Sequence, residues 1–68
     1  MAKFSKGDTV SFEYSDTNGK LYTLTGAIEV VDPYMMGTEY DIMVYNFCKS
    51  GAPALVKHVD EKALAKFD

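Results

Sequence analysis

Apolar and polar residues alternate along much of the chain, and a period of two is the pattern of a β-strand with one buried face. In "GDTVSFEY" the apolar positions on one face are Val10, Phe12 and Tyr14. In "LYTLTGAIEVV" one face takes Tyr22, Leu24, Gly26, Ile28 and Val30. In "TEYDIMVYNF" one face takes Tyr40, Ile42 and Val44. The pattern therefore predicts three strands, and "ALVKHV" predicts a shorter fourth.

Glycine, proline and asparagine mark the breaks between these strands. Asn18-Gly19 supplies the positive φ angles that a tight hairpin turn requires. Asp32-Pro33 is expected to end the second strand, because proline cannot donate a hydrogen bond to a ladder. Gly26 leaves a gap on an apolar face, which indicates a bulge or a sharp bend. Such a bend would let one long strand serve two sides of a small barrel.

The last stretch, "EKALAKF", predicts a short helix that begins after an N-cap at Asp60. Glu61 in its first turn and Lys66 in its last would both favour the helix dipole. The apolar residues at helical spacing, which would cover one end of the sheet, are Ala63, Leu64 and Phe67. The shared parity within each strand predicts a core formed by Leu24, Ile28, Val30, Ile42 and Val44.

The segments "KGDTV", "TGAIEVV", "YDIMVY" and "VKHVDEKAL" resemble the serial elements of SH3-like barrels found in small bacterial and phage proteins. The resemblance implies a mainly β fold, an SH3-like small barrel of four to five antiparallel strands with a short C-terminal helix. It covers nearly the whole chain and implies a single domain over residues 1–68. The chain has no tryptophan, so the proline-peptide site of signalling SH3 domains is not implied.

Composition and charge narrow the function mainly by exclusion. The net charge is −3, from ten acidic residues against seven lysines and no arginine, which disfavours an electrostatic nucleic-acid interface. The apolar runs are far shorter than the ~18 residues that span a membrane. One cysteine, Cys48, cannot form an intramolecular disulfide, and the amino terminus has no apolar signal region. We therefore expect a cytoplasmic protein.

Candidate catalytic and metal-binding residues are few. Cys48 and His58 are the only candidates for a thiol nucleophile and its base, and a hairpin about "KSGA" would separate them by roughly 16 Å. A dyad needs hydrogen-bond reach, about 3 Å. Glu39 and Asp41 share one face of a strand, but no third ligand has a spacing that completes a metal site. The sequence thus predicts a non-enzyme without catalytic residues, cofactor or metal.

The third strand has a second apolar face, formed by Met43, Tyr45 and Phe47. One interpretation is that it is covered by the chain's two ends, through Phe4, Leu64 and Phe67. The other is that part of it lies exposed beside the preceding connection, giving an apolar patch of Tyr34, Met35, Met36, Met43, Tyr45 and Phe47. The second interpretation predicts a binding module that contacts a protein partner or a second copy of itself. The alternative function is a KOW- or Tudor-like barrel that binds nucleic acid through surface tyrosines.

Overall fold

A computed structural model describes residues 2–45, 47 and 51–67, and these residues form one antiparallel β-sheet. The strands are β1 (Thr9–Ser15), β2 (Leu21–Tyr34), β3 (Gly37–Val44), β4 (Ala54–Asp60) and β5 (Ala65–Lys66). Their spatial order is β4-β3-β2-β1-β5, so β4 and β5 are the two edges of a sheet that does not close within the described part of the chain. The mainly β architecture predicted from the alternation is confirmed.

One face of the sheet carries the hydrophobic core. Its buried residues are Phe4, Val10, Phe12, Leu24, Ile28, Tyr40, Ile42, Val44 and Leu64. Four of the five core residues predicted from parity are therefore confirmed. Phe4 and Leu64, from the two ends of the chain, lie in this inner core, so they do not cover the opposite face of β3. Phe67 does not cover it either, because its side chain is exposed.

A β-bulge in β2 overturns the prediction that Val30 is a core residue. Between Ile28 and Val30 the ladder advances two residues on β2 but only one on β3. Because successive side chains point to opposite faces, the extra residue reverses the parity of everything after it. Val30 is consequently 44% exposed, while its neighbour Val31 packs against the core.

Gly26 lies before this bulge, in a regular part of the ladder. It pairs with Val10 on one side and with Val44 on the other. A Cβ at this position would lie 2.3 Å from the backbone oxygen of Met43. Gly26 is therefore needed for a close approach of two backbones, and the bulge predicted here lies three residues further on.

The β1–β2 hairpin is closed by an aspartate. The carboxylate of Asp16 accepts hydrogen bonds from the backbone N–H groups of Asn18 and Lys20, both at 2.9 Å. Gly19 has a φ of 81°, but Asn18 does not have a positive φ. The turn therefore needs one left-handed residue, where the sequence predicted two.

The prediction that Asp32-Pro33 ends the second strand is wrong. β2 continues to Tyr34, and Pro33 lies opposite Thr38 in the β2–β3 ladder. The pairing of β1 with β2 stops at Ala27, so this end of β2 has a neighbour on one side only. Proline is tolerated where a strand has such a free side.

The predicted C-terminal helix is also wrong. Asp60 is an N-cap, accepting a hydrogen bond from the Lys62 N–H at 2.9 Å, but it caps only a 3-10 turn, Glu61–Ala63. The chain then pairs with the free edge of β1, where Thr9 accepts a hydrogen bond from the Phe67 N–H. The backbone groups at the edge of β1 form hydrogen bonds with this extended segment, which they could not form if the segment were a helix of two turns. Of the three residues expected on the helix's apolar face, Leu64 alone is buried.

The link between the two edge strands shows that the sheet is strongly curved. Asp60, at the end of β4, is aligned through β3 with Asp32 on β2. Ala65, at the start of β5, is aligned through β1 with Thr25 on β2, seven residues away from Asp32. In a flat sheet, Asp60 and Ala65 would be separated by seven residues along the strands and by four strand spacings across them, which together give about 30 Å. Five consecutive Cα–Cα steps reach at most ~19 Å. The edges must therefore curl toward each other.

A hydrogen-bond network fastens the amino-terminal segment to this curved sheet. The buried Tyr40 hydroxyl accepts from the Phe4 N–H at 3.2 Å and donates to the Glu61 carboxylate at 2.6 Å. The same carboxylate oxygen accepts from the Lys3 N–H at 2.9 Å. Burial raises the pKa of Tyr40, and the hydrogen bond from Tyr40 lowers the pKa of Glu61.

Tyr40→Phe is expected to lower the free energy of unfolding by about 1–3 kcal/mol, because it leaves the buried Phe4 N–H without its acceptor. The matched control is Tyr22→Phe, which removes an exposed hydroxyl that bonds Asp16 and should cost under about 0.5 kcal/mol. Urea denaturation of both variants gives the comparison. Equal midpoints for the two would contradict a stabilising role of the Tyr40 network.

Candidate functional site

The tip of the β2–β3 hairpin displays two methionines. Met35 and Met36 form the two-residue turn between the strands, and their exposures are 102% and 98%. Each is more exposed than any other large apolar side chain in the described part of the chain. Tyr34, which precedes them, is half exposed. The turn thus holds apolar side chains in solvent at the far end of a rigid ladder.

A groove of about 430 Å³ runs beside this tip. The groove is lined by Tyr34, Met35, Met36, Gly37, Thr38, Glu39 and Asp60. Thr38 is buried, whereas Asp60 is exposed. The lining therefore combines apolar side chains from the hairpin with two carboxylates from β3 and β4. We refer to these seven residues as the tip groove.

The two carboxylates belong to a row of acids that crosses three strands. Asp32 on β2 lies opposite Glu39 on β3, and Glu39 lies opposite Asp60 on β4. Residues directly opposite in antiparallel strands share a face, and like charges in that position destabilise a sheet. We call these three residues the acidic row. Local costs of this kind are expected at functional sites.

The acidic row places a negative potential at the hairpin tip. The hydrogen bond and the charge of Asp32 raise the pKa of the Tyr34 hydroxyl, and the charges of Glu39 and Asp41 act in the same direction. A phenol loses its proton less readily where the surrounding field is negative. The raised pKa of Tyr34 therefore shows that the negative charge of the carboxylates acts at the exposed tip.

His58 stands at the margin of this site in an unusual conformation. It has a φ of 61° and lies where the β3–β4 ladder shifts register between Tyr40 and Ile42. Its N–H donates to the Asp41 carboxylate at 3.1 Å, and its Nδ1 is 3.2 Å from a Glu39 oxygen. The sequence predicts a surface histidine, and the side chain is indeed exposed. Cys48, the other residue considered for a dyad and predicted to lie out of reach, is outside the described residues.

The structure separates the six residues of the predicted apolar patch. Tyr34, Met35 and Met36 lie together in the tip groove. Met43 is half-buried, opposite Ala27 and Leu55 on the outer face, and roughly 24 Å along β3 from the tip. Tyr45 is exposed just past the end of β3. Phe47 packs edge-on against Tyr14 with ring centroids 5.1 Å apart, at a different place again.

Sequence reasoning missed the acidic residues of the site. The sequence suggests Glu39 only as a possible metal ligand together with Asp41, and Asp60 only as a carboxylate beside Glu61 that caps a helix. The ladder instead aligns Glu39 with Asp32 and Asp60. The available signal was "DPYMMGTE", in which a two-residue turn at Met35-Met36 brings residues 32 and 39 opposite each other. Within the described residues, no group of three His, Cys, Asp or Glu side chains is placed so that it could hold a metal ion.

Two further findings concern the whole described chain. None of its helices is long and apolar enough to cross a membrane. No family model matches the sequence, and neither does any curated protein or solved structure.

Proposed function

We propose that this protein is a small non-enzymatic binding module that contacts another protein through the tip groove. The observation that carries the proposal is the nearly complete exposure of Met35 and Met36 beside a concave surface. Full burial of a methionine side chain is worth about 1.5–3 kcal/mol. The fold forgoes this stabilisation at two successive residues, and a partner could recover it.

The chemistry of the tip suits protein contact. Methionine has an unbranched, polarisable side chain that adapts to an irregular surface, and tyrosine combines a large apolar body with a polar end. Both residue types are enriched where proteins meet. The hairpin ladder beneath them holds Tyr34 opposite Gly37, so the two methionines are presented on a paired backbone. The acidic row argues against the nucleic-acid alternative, because phosphates would be repelled.

The proposal includes an SH3-like barrel as the scaffold and the cytoplasm as the compartment. The strong curvature of the sheet, the central long strand β2 and the short link between the edge strands support the barrel. The bulge after Ile28 lets β2 pair with β1 through one half and with β3 through the other. The single cysteine of the sequence fits a reducing compartment.

The double substitution Met35→Ser and Met36→Ser is expected to shift the melting temperature by less than about 2 °C, because neither side chain is packed. The same variant should lose capture of a partner from an extract of the source cell. The matched control is Leu21→Ser, which removes an exposed apolar residue at the opposite end of β2 and should leave capture unchanged. Differential scanning and quantitative mass spectrometry of captured proteins measure the two properties.

Three results would contradict the proposal. A fall in melting temperature of about 10 °C, the effect of losing roughly 2 kcal/mol in a domain of this size, would show that the methionines are structural. Undiminished capture by the double variant would show that the partner binds elsewhere. Loss of capture by Leu21→Ser as well would show that the effect is not specific to the tip.

A further inference from the structure

We propose that the tip groove recognises a short basic segment in which an arginine side chain lies against the acidic row and an adjacent apolar side chain lies on the methionines. This inference rests on the proposed function and specifies the chemistry of the partner. It is carried by the alignment of the acidic row beside an apolar hairpin tip.

The acidic row provides a place for a cation. Neighbouring strands are about 4.8 Å apart, so Asp32, Glu39 and Asp60 follow one another at that spacing along one row of the sheet. A positive group placed between two of them would convert a mutual repulsion into two attractions. Arginine suits this geometry better than lysine, because its planar guanidinium can donate to two carboxylates at once.

The chain itself does little to neutralise this row. Among the described residues that line the groove there is no lysine. The base that contacts the row is His58, whose Nδ1 is 3.2 Å from Glu39 and whose side chain is 64% exposed. Lys62 follows Asp60 in the 3-10 turn, and its backbone N–H is the group that bonds the carboxylate. Charge complementarity therefore favours a cationic occupant from outside the chain.

The dimensions of the groove favour a segment rather than a folded domain. A space of about 430 Å³ accommodates one long side chain with a neighbour, within the usual range for small-ligand sites. The lining offers carboxylates together with methionine and tyrosine side chains. An extended segment places successive side chains on opposite sides. A segment with alternating arginine and leucine would thus present a cation and an apolar group at the required spacing.

The test is a nuclear magnetic resonance titration of the isotope-labelled protein with a capped five-residue peptide that alternates leucine and arginine. The matched probe replaces each arginine by citrulline, which keeps the shape and removes the charge. We expect the arginine peptide to shift the amide signals of residues 34–39 and 60. We expect the citrulline peptide to bind at least about 10-fold more weakly, the loss expected for one charge-assisted hydrogen bond.

Variants of the protein complete the design. Glu39→Gln and Asp32→Asn should each weaken binding of the arginine peptide about 10-fold, the value of one charged hydrogen bond. Glu13→Gln neutralises an exposed acid on β1, away from the tip groove, and should change nothing. The amide spectrum of each free variant reports whether its fold is intact.

The outcomes separate this inference from the proposed function. Equal binding of both peptides at the tip would overturn the role of charge while supporting apolar contact. Failure of both peptides to bind, or shifts confined to other residues, would overturn the inference. The capture experiment would still decide whether the protein binds a partner through its tip groove. Arginine-peptide binding that survives Met35→Ser with Met36→Ser would support the cation site and contradict apolar contact through the tip.

Discussion

Ile42→Ala is expected to lower the free energy of unfolding by about 2–5 kcal/mol. Ile42 is completely buried and lies opposite Ile28 on β2 and Val56 on β4. Its truncation would leave a cavity beside β3, an inner strand of the sheet, where backbone pairing on both sides limits collapse. A chain of this length has a total stability of only about 3–10 kcal/mol. The substitution should therefore unfold a large fraction of the molecules.

The control for this prediction is Val30→Ala, because sequence parity places Val30 in the same core. The bulge turns Val30 outward, and its truncation should cost less than about 1 kcal/mol. Chemical denaturation of both variants measures the difference. Equal losses of stability would contradict the bulge, and an unchanged midpoint for Ile42→Ala would contradict the assignment of the core.

Gly26→Ala is expected to cost about 3 kcal/mol, although it adds a single methyl group. The new Cβ would lie 2.3 Å from the Met43 carbonyl oxygen and 2.9 Å from the Ile42 side chain. Backbone atoms in a paired strand cannot rotate away as a flexible side chain can. The β2 and β3 backbones would have to separate at the centre of the sheet.

Gly19→Ala separates this steric effect from the general cost of replacing glycine. Gly19 has a φ of 81° and open space around its Cβ position, so the expected cost is roughly 1–2 kcal/mol from conformation alone. Thermal or urea unfolding of the two variants gives the comparison. A smaller loss for Gly26→Ala than for Gly19→Ala would contradict the close approach of β2 and β3.

The parts of the fold that sequence periodicity could predict are those with one buried face. Val10 and Phe12 on β1, and Ile42 and Val44 on β3, follow strict alternation because each strand is regular there. Val30 could not be placed, because one extra residue in β2 reverses the parity and leaves no mark in the hydrophobic pattern. The helix predicted at the end of the chain is wrong for another reason.

Residues 61–67 have the composition of a short helix, but tertiary pairing overrides that preference. A helix of two turns is marginal by itself, whereas the free edge of β1 offers hydrogen bonds to Ala65, Lys66 and Phe67. Local propensity contains no information about that edge. The N-cap at Asp60 is the one feature of the predicted helix that is present, and it caps the 3-10 turn Glu61–Ala63.

The candidate site likewise has one part that the sequence can predict and one part that it cannot. Exposure of Met35 and Met36 follows from local sequence, because a short connection cannot bury its own apolar residues. The acidic row could not be predicted, since it depends on the register of three strands. Extending β2 through Pro33 moves Asp32 opposite Glu39, and the register shift at His58 moves Asp60 into line with both.

Whether the hairpin tip is the surface that meets a partner, as we propose, can be examined in the cell by site-specific photo-crosslinking. A benzophenone amino acid replaces Met36 in one sample and Thr17, in the exposed turn of the other hairpin, in the control. After irradiation in the source cell, we expect a discrete adduct with a protein from position 36 and none from position 17. Adducts of equal yield from both positions, or none from position 36, would contradict it.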